Sequence, residues 1–210
     1  MDYEAVFFDV DGTLIKTPHE YAHKIINRIL HDLHKQPASC EDIERFLFES
    51  DRENAIRTGF NIEEPELFWD GYRKHDTPEL RVQHAIPYHD VDFIRELKPR
   101  GYMTGILTGA PKGIALAQID MIGEENFDVI VIANTSSGTK PKPSPDGLIK
   151  CLNSVGIKNS RAIYVGNGKE DVDAAKNAGV LDILIKRGER EFPNLKPSLT
   201  INSLYELNKI

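Results

Sequence analysis

Cysteine is scarce in this chain: Cys40 and Cys151 are the only two among 210 residues. They stand far apart and without metal-ligand spacing, which excludes a disulfide framework or a zinc site and leaves buried or incidental thiols. No apolar run approaches the ~20 residues that a bilayer crossing needs. The chain starts with an acidic strand instead of a basic, apolar leader, so a cytoplasmic protein with no membrane partner is expected. Positive charge is also in short supply, with 26 Lys and Arg against 33 Asp and Glu and a net charge of -7. That balance argues against nucleic acid as a general partner, because phosphate backbones are held by clustered Lys and Arg. Local basic residues can still hold a small phosphate. Apolar side chains make up 40% of the chain, enough to bury one full core and a smaller accessory unit. Nothing in the composition points to a protein partner.

Against this background one segment stands out, Val6-Phe7-Phe8-Asp9-Val10-Asp11-Gly12-Thr13-Leu14. Residues 5 to 8 are apolar throughout, as in a strand covered on both faces of a parallel sheet, and Asp9 follows where such a strand would emerge. Open α/β sheets bind ligands at that carboxyl edge. Asp9 and Asp11 are two apart, so on extended backbone they lean the same way and converge on one cation, while Gly12 permits a sharp turn. Hard oxygen donors of this kind suit Mg²⁺. Asp-Gly alone is a common turn pair. The ordered Asp-x-Asp-Gly-Thr behind an apolar strand is rarer, arising by chance on the order of a few times per thousand chains of this length.

Along the chain, strand candidates at 4 to 9, 102 to 108, 127 to 132, 162 to 166, 181 to 186 and 199 to 201 alternate with helical stretches near 90 to 98, 112 to 121, 145 to 155 and 171 to 178. This alternation predicts βαβ units, hence a parallel sheet flanked by helices. Ser144-Pro145 reads as a helix N-cap followed by proline at the first helical position. The alternation breaks over residues 17 to 82, which read as an inserted all-α unit between core segments 1–16 and 83–210. There, Thr17-Pro18-His19-Glu20 reads as a capping box, followed by a stripe of Tyr21, Ala22, Ile25, Ile26, Ile29, Leu30 and Leu33 at helical spacing. Ser39 and Pro65 are expected to open two further helices.

Three later segments extend the pattern. The strand candidate Met103–Leu107 ends in Thr108, Lys142 lies in Lys140-Pro141-Lys142-Pro143-Ser144-Pro145-Asp146, and Ala162-Ile163-Tyr164-Val165 runs into Gly166-Asn167-Gly168-Lys169-Glu170-Asp171. With the first segment, in this order from residue 9 to residue 171, the chain resembles the haloacid dehalogenase-like superfamily of phosphohydrolases, in particular its phosphoglycolate phosphatase-like members with a helical cap. The resemblance implies a Rossmann-like α/β core, a mobile cap over the site, a Mg²⁺ cofactor and a small phosphorylated metabolite as substrate. Phosphoglycolate-like and sugar-phosphate-like esters lead. It further implies that Asp9 attacks phosphorus to form an aspartyl-phosphate and that Asp11 protonates the departing alkoxide and then deprotonates water. Thr108, with backbone N–H groups around Gly109, would bind phosphate oxygens, and Lys142 would supply positive charge. The metal would be held by Asp9, the Asp11 carbonyl, Asn167 and Asp171.

Three residues depart from the usual pattern of that superfamily. Asn167 replaces an acid expected at the metal, Gly109 follows Thr108 where many relatives place Asn, and Lys16 stands where many helical-cap members have Asp. Asp11 disfavours the dehalogenase branch, which lacks a second aspartate because a halide leaves without a proton. Two alternatives stay open: a phosphomutase of the same fold, and a catalytically weakened phosphate-binding or regulatory protein motivated by Asn167.

Overall fold

A computed structural model describes residues 3–48, 51–188 and 191–209. The chain divides into two compact units, Met1–Lys16 with Ile86–Ile210, and Thr17–Ala85.

The first unit is built on strand β1, Ala5–Phe8, whose four residues are all buried. A short strand β2, Ile15–Lys16, follows it. After the second unit come β3, Ile86–Pro87, and β4, Met103–Thr108, then β5, Val129–Ile132, β6, Ala162–Gly166, β7, Leu181–Ile185, and β8, Leu199–Ile201. Six of these make one sheet in the order β5-β4-β1-β6-β7-β8, and every neighbouring pair is parallel. β1 pairs with β4 on one side, Phe8 against Ile106, and with β6 on the other, Phe8 against Val165. The chain builds outward from β1 in one direction through β4 and β5, then crosses to build in the other through β6 to β8. β1 therefore lies at the switch point, where strand ends open a crevice for a ligand.

Burial on both faces explains the unbroken apolar composition of β1. Ala5 and Phe7 join Leu107, Leu148, Leu152, Tyr164 and Ala175 in one core cluster, while Val6 lines a small cavity of ≈ 70 Å³ with Phe93, Leu97 and Ile163. Burying a phenylalanine such as Phe7 contributes about 1.5–3 kcal/mol. The antiparallel ribbon of β2 and β3 pairs Ile15 with Pro87 and Lys16 with Ile86, so both connections to the second unit leave from adjacent positions.

The second unit holds helices α1, His19–Asp32, α2, Cys40–Phe48, α3, Arg52–Gly59, α4, Pro65–His75, and α5, Pro78–His84. α1 buries the stripe Tyr21, Ala22, Ile25, Ile26, Ile29 and Leu30. Phe46, Phe60, Phe68, Trp69 and Tyr72 pack against one another with the Phe46–Phe68 centroids 5.1 Å apart, within the range aromatic pairs favour. Ser39 Oγ caps α2 by accepting from the Asp42 N–H. α5 carries the second unit to Ala85, past residue 82.

The capping box expected at Thr17 does not form. The residue preceding α1 is Pro18, at φ -57 and ψ 139, with no side-chain cap bond, and the Thr17 hydroxyl is buried without a partner. The same one-residue offset occurs downstream, where Pro145 and not Ser144 precedes the helix Asp146–Val155. In both places proline's fixed φ suits the cap position as well as the first turn, and the sequence pattern alone does not distinguish the two. The helix expected near 90 to 98 is a composite: one 3₁₀ turn at Val91–Phe93, α6 at Ile94–Leu97, and a second 3₁₀ turn at Lys98–Arg100. α7, Lys112–Ile122, α8, Asp146–Val155, and α9, Lys169–Ala178, flank the sheet sequence as expected. Among the described residues no helix is long and apolar enough to cross a membrane.

Candidate active site

Asp9 follows the last residue of β1 and is 5% exposed. Its Oδ1 accepts from Lys142 Nζ at 2.7 Å, and its Oδ2 accepts from the Thr13 hydroxyl at 3.2 Å. Lys142, in the loop before α8, is 8% exposed. An ammonium has three donors, and here all find acceptors: Asp9 Oδ1, Asp171 Oδ1 at 2.6 Å and the Tyr164 oxygen at 3.3 Å. Lys140, the other lysine of that segment, is exposed. Burial pushes the Asp9 carboxyl up to about 7, with Lys142 acting against the shift and the charges of Asp171 and Asp11 adding to it. Burial works to lower the Lys142 ammonium, but Asp171 and Asp9 together hold it well above its ordinary value. Lys142 is therefore a fixed positive charge between two carboxylates.

Asp171 sits in the first turn of α9. Its Oδ1 is taken by Lys142 and by the Tyr164 phenol at 3.0 Å, and its Oδ2 accepts the Gly168 N–H at 3.0 Å. This places Asp171 as the counter-ion that orients Lys142. Gly166 makes the approach possible, since a Cβ there would lie 2.3 Å from the Asp171 Cβ. Tyr164, on β6, was not singled out from sequence. A phenol inside the otherwise apolar run Ala162-Ile163-Tyr164-Val165 was the available signal, because a buried Tyr hydroxyl needs a partner. Burial and Asp171 raise it well above the ordinary phenol range, so it stays a donor.

The loop after β1 turns at Gly12, whose φ is +74 and where any Cβ would fall 2.0 Å from Asn167 Nδ2. Asn167 thus lies directly against the turn, with its Oδ1 3.5 Å from the Thr13 hydroxyl that also reaches Asp9. Arg187 holds the loop from behind: its guanidinium donates to the Thr13 carbonyl at 2.6 Å and to both oxygens of Asp90, at 2.9 and 3.0 Å. Asp90 also accepts from the Ser203 hydroxyl and the Leu204 N–H. Sequence offered no signal for this bracket, since Arg187 and Thr13 are 174 positions apart.

Thr108 ends β4, next to β1 in the sheet, and is 1% exposed. Its Oγ1 accepts the Ala110 N–H at 3.1 Å, which turns the loop and leaves the hydroxyl proton for another acceptor. At Gly109 an added Cβ would meet only the Ala133 carbonyl, at 3.7 Å, an ordinary contact. Asp11 accepts from Gln118 Nε2 at 2.8 Å.

The oxygens available to a cation are few. Among the described residues no group of three or more His, Cys, Asp or Glu could hold a metal ion, and hydrogen bonds already reach both oxygens of Asp9 and both of Asp171. What remains is the free lone pairs of the Asp9 and Asp171 carboxylates, the Asn167 amide oxygen and backbone carbonyl oxygen. These are hard donors, few in number, and they fit Mg²⁺, which keeps several of its waters.

The family described as haloacid dehalogenase-like hydrolase matches residues 6–185. The chain is similar to the pyrophosphatase PpaX of Bacillus cereus (strain AH820), 28% identical with 99% of this chain and 95% of the relative covered. It is also similar to the phosphoglycolate phosphatase of Aquifex aeolicus (strain VF5), 24% identical over 98% of this chain and 95% of the relative. The crystal structure of CbbY from Rhodobacter sphaeroides in complex with phosphate shares its fold, with a TM-score of 0.78 at 23% identity and coverage of 98% and 96%.

Proposed function

The chain belongs to the haloacid dehalogenase-like hydrolases, and from that premise we propose that it is a cytoplasmic Mg²⁺-dependent phosphatase that hydrolyses a small phosphorylated metabolite through a phosphoryl group on Asp9. One observation carries the reading: Asp9, at the carboxyl end of the central strand, is held by Lys142 on one oxygen and by the Thr13 hydroxyl on the other, and that hydroxyl also lies 3.5 Å from Asn167 Oδ1. A carboxylate needs no general base to attack phosphorus. Lys142 orients it and balances part of the charge of an incoming phosphate, while Asp171 and Tyr164 keep the lysine in place. Thr108 donates a hydrogen bond from its hydroxyl to a phosphate oxygen. Asp11 gives a proton to the departing alkoxide as the ester bond breaks, and in the second half takes one from the water that cleaves the Asp9–phosphorus bond. Bound Mg²⁺ would be held by Asp9, Asn167, Asp171 and the Asp11 carbonyl and would offset the negative charge of the phosphate. The helical unit Thr17–Ala85 serves in this reading as the cap that sets specificity.

The names of its relatives put phosphoglycolate and pyrophosphate at the head of the substrate panel. Phosphate release from that panel, with sugar phosphates added and Mg²⁺ present or absent, tests the reading in the natural chain and in Asp9→Asn. Turnover that requires both the metal and Asp9 supports it; no release at saturating Mg²⁺ overturns it. Asn167 supports one second reading, a phosphate-binding protein with little activity. Calorimetric Mg²⁺ titration separates the two: binding too weak for cellular Mg²⁺, without turnover, favours the second.

A further inference from the structure

α7 buries Ile114, Ala115, Gln118, Ile119 and Ile122, an inward stripe of the expected spacing in which only Gln118 is polar. No part of Gln118 is exposed. Its Nε2 donates to Asp11 Oδ1 at 2.8 Å, whereas its Oε1 is buried with no partner. Leaving a buried polar atom unmatched is unfavourable. A methionine of similar length would fill the same space without that cost, so packing does not account for the glutamine. Its contact with Asp11 does.

We propose that Gln118 is the positioning residue for Asp11, fixing the carboxyl in the orientation from which it exchanges protons with substrate and water; the inference rests on the phosphatase reading above. The choice of an amide follows from the chemistry. Arginine or lysine at this place would pair with a carboxylate and oppose its protonation. An amide presents a donor and an acceptor at the same end of one side chain. Nε2 bonds Asp11 Oδ1, and half a turn about the last side-chain bond puts Oε1 in its place. In the first half-reaction the Asp11 O–H proton goes to the departing oxygen as its bond to phosphorus breaks and the Asp9–phosphorus bond forms. In the second, water's oxygen bonds phosphorus, the Asp9–phosphorus bond breaks, and the water proton returns to Asp11. Gln118 holds the carboxyl through both.

The test uses Gln118→Met and two substrates that differ in their need for an acid. Glycerol 3-phosphate leaves as an alkoxide that requires a proton, whereas p-nitrophenyl phosphate leaves as a stable anion. Loss of orientation should lower kcat/KM for glycerol 3-phosphate roughly tenfold or more, with p-nitrophenyl phosphate changed by less than about twofold. Thermal melting should stay the same or rise. An equal change on both substrates, no change, or a gain on glycerol 3-phosphate overturns the proposal. Gln118→Leu repeats the comparison if the methionine variant fails to fold. Should the natural chain release phosphate from neither of these nor from the panel above, the phosphatase reading itself fails and the inference falls with it; where a panel alkyl phosphate is the one turned over, it takes the place of glycerol 3-phosphate.

Discussion

In the α/β unit the side chains of Asp9, Lys142 and Asp171 form one buried ionic cluster, and those of Asp90 and Arg187 form a separate buried pair. In the helical unit Arg57, Arg73 and Lys74 meet acidic partners at the surface, with side chains 48%, 51% and 68% exposed. Charges in water interact weakly and are screened, whereas buried charges demand partners and lose much when one is removed. A cluster that keeps two carboxylates around one ammonium out of water is unfavourable as architecture alone, since apolar side chains would fill that space at least as well. Its location at the switch point of the sheet gives the reason for it. The helical unit also holds a buried pair, Asp76 with Arg81, to which the Tyr21 hydroxyl donates. No nucleophile-bearing strand end joins that pair, and it reads as a tie between α4 and α5.

Removing the ammonium should sharpen the contrast most. Lys142→Met leaves Asp9 and Asp171 buried without their shared counter-ion, and phosphate release should fall by about 10²–10³-fold. Steady-state kinetics with circular dichroism to confirm folding would check it. Asp90→Asn should come next, lowering stability by about 3–5 kcal/mol in urea denaturation because Arg187 loses its charge partner. Burial opposes ionisation of Asp90, but Arg187, the Leu204 N–H and Ser203 hold its carboxyl below the ordinary range. The sign follows: its folded value is depressed, so its contribution is present in full above the ordinary carboxylate range and is lost as pH falls through the folded value. Denaturation curves at falling pH should therefore converge for the natural chain and Asp90→Asn. Arg73→Ala, which cuts surface contacts with Glu66 and Asp70, should shift the denaturation midpoint by less than about 0.5 kcal/mol equivalent. The smallest effect concerns the thiols. Cys40 is exposed and should react promptly with a thiol reagent, whereas Cys151, fully buried and pushed up to about 12 by its burial, should react only on unfolding.

Sequence alone revealed the strand ends well, because an apolar run closing on polar residues is a local pattern. The runs ending at Asp9, Thr108 and Gly166 needed no knowledge of the sheet, and the parallel order followed from alternation with helices. The pairings that complete the site are not local. Gln118 meets Asp11 across 107 positions, and Lys142 meets Asp9 across 133. Only the strand order makes such partners neighbours. Asp171 shows the same limit at shorter range, since its spacing from Asn167 did not say that its Oδ1 would meet the lysine. Helices α3 and α5 escaped notice because they are short and polar, relying on caps from Asp51 and Thr77 where a long apolar stripe would have been visible.

The most direct measurement is to mix the natural chain with a turned-over phosphomonoester and Mg²⁺, quench in acid within one turnover, and map the protein by mass spectrometry. The account predicts one phosphoryl group on the peptide containing Asp9, absent from Asp9→Asn. Phosphate release with no phosphorylated peptide, or with the group on another residue, would contradict it.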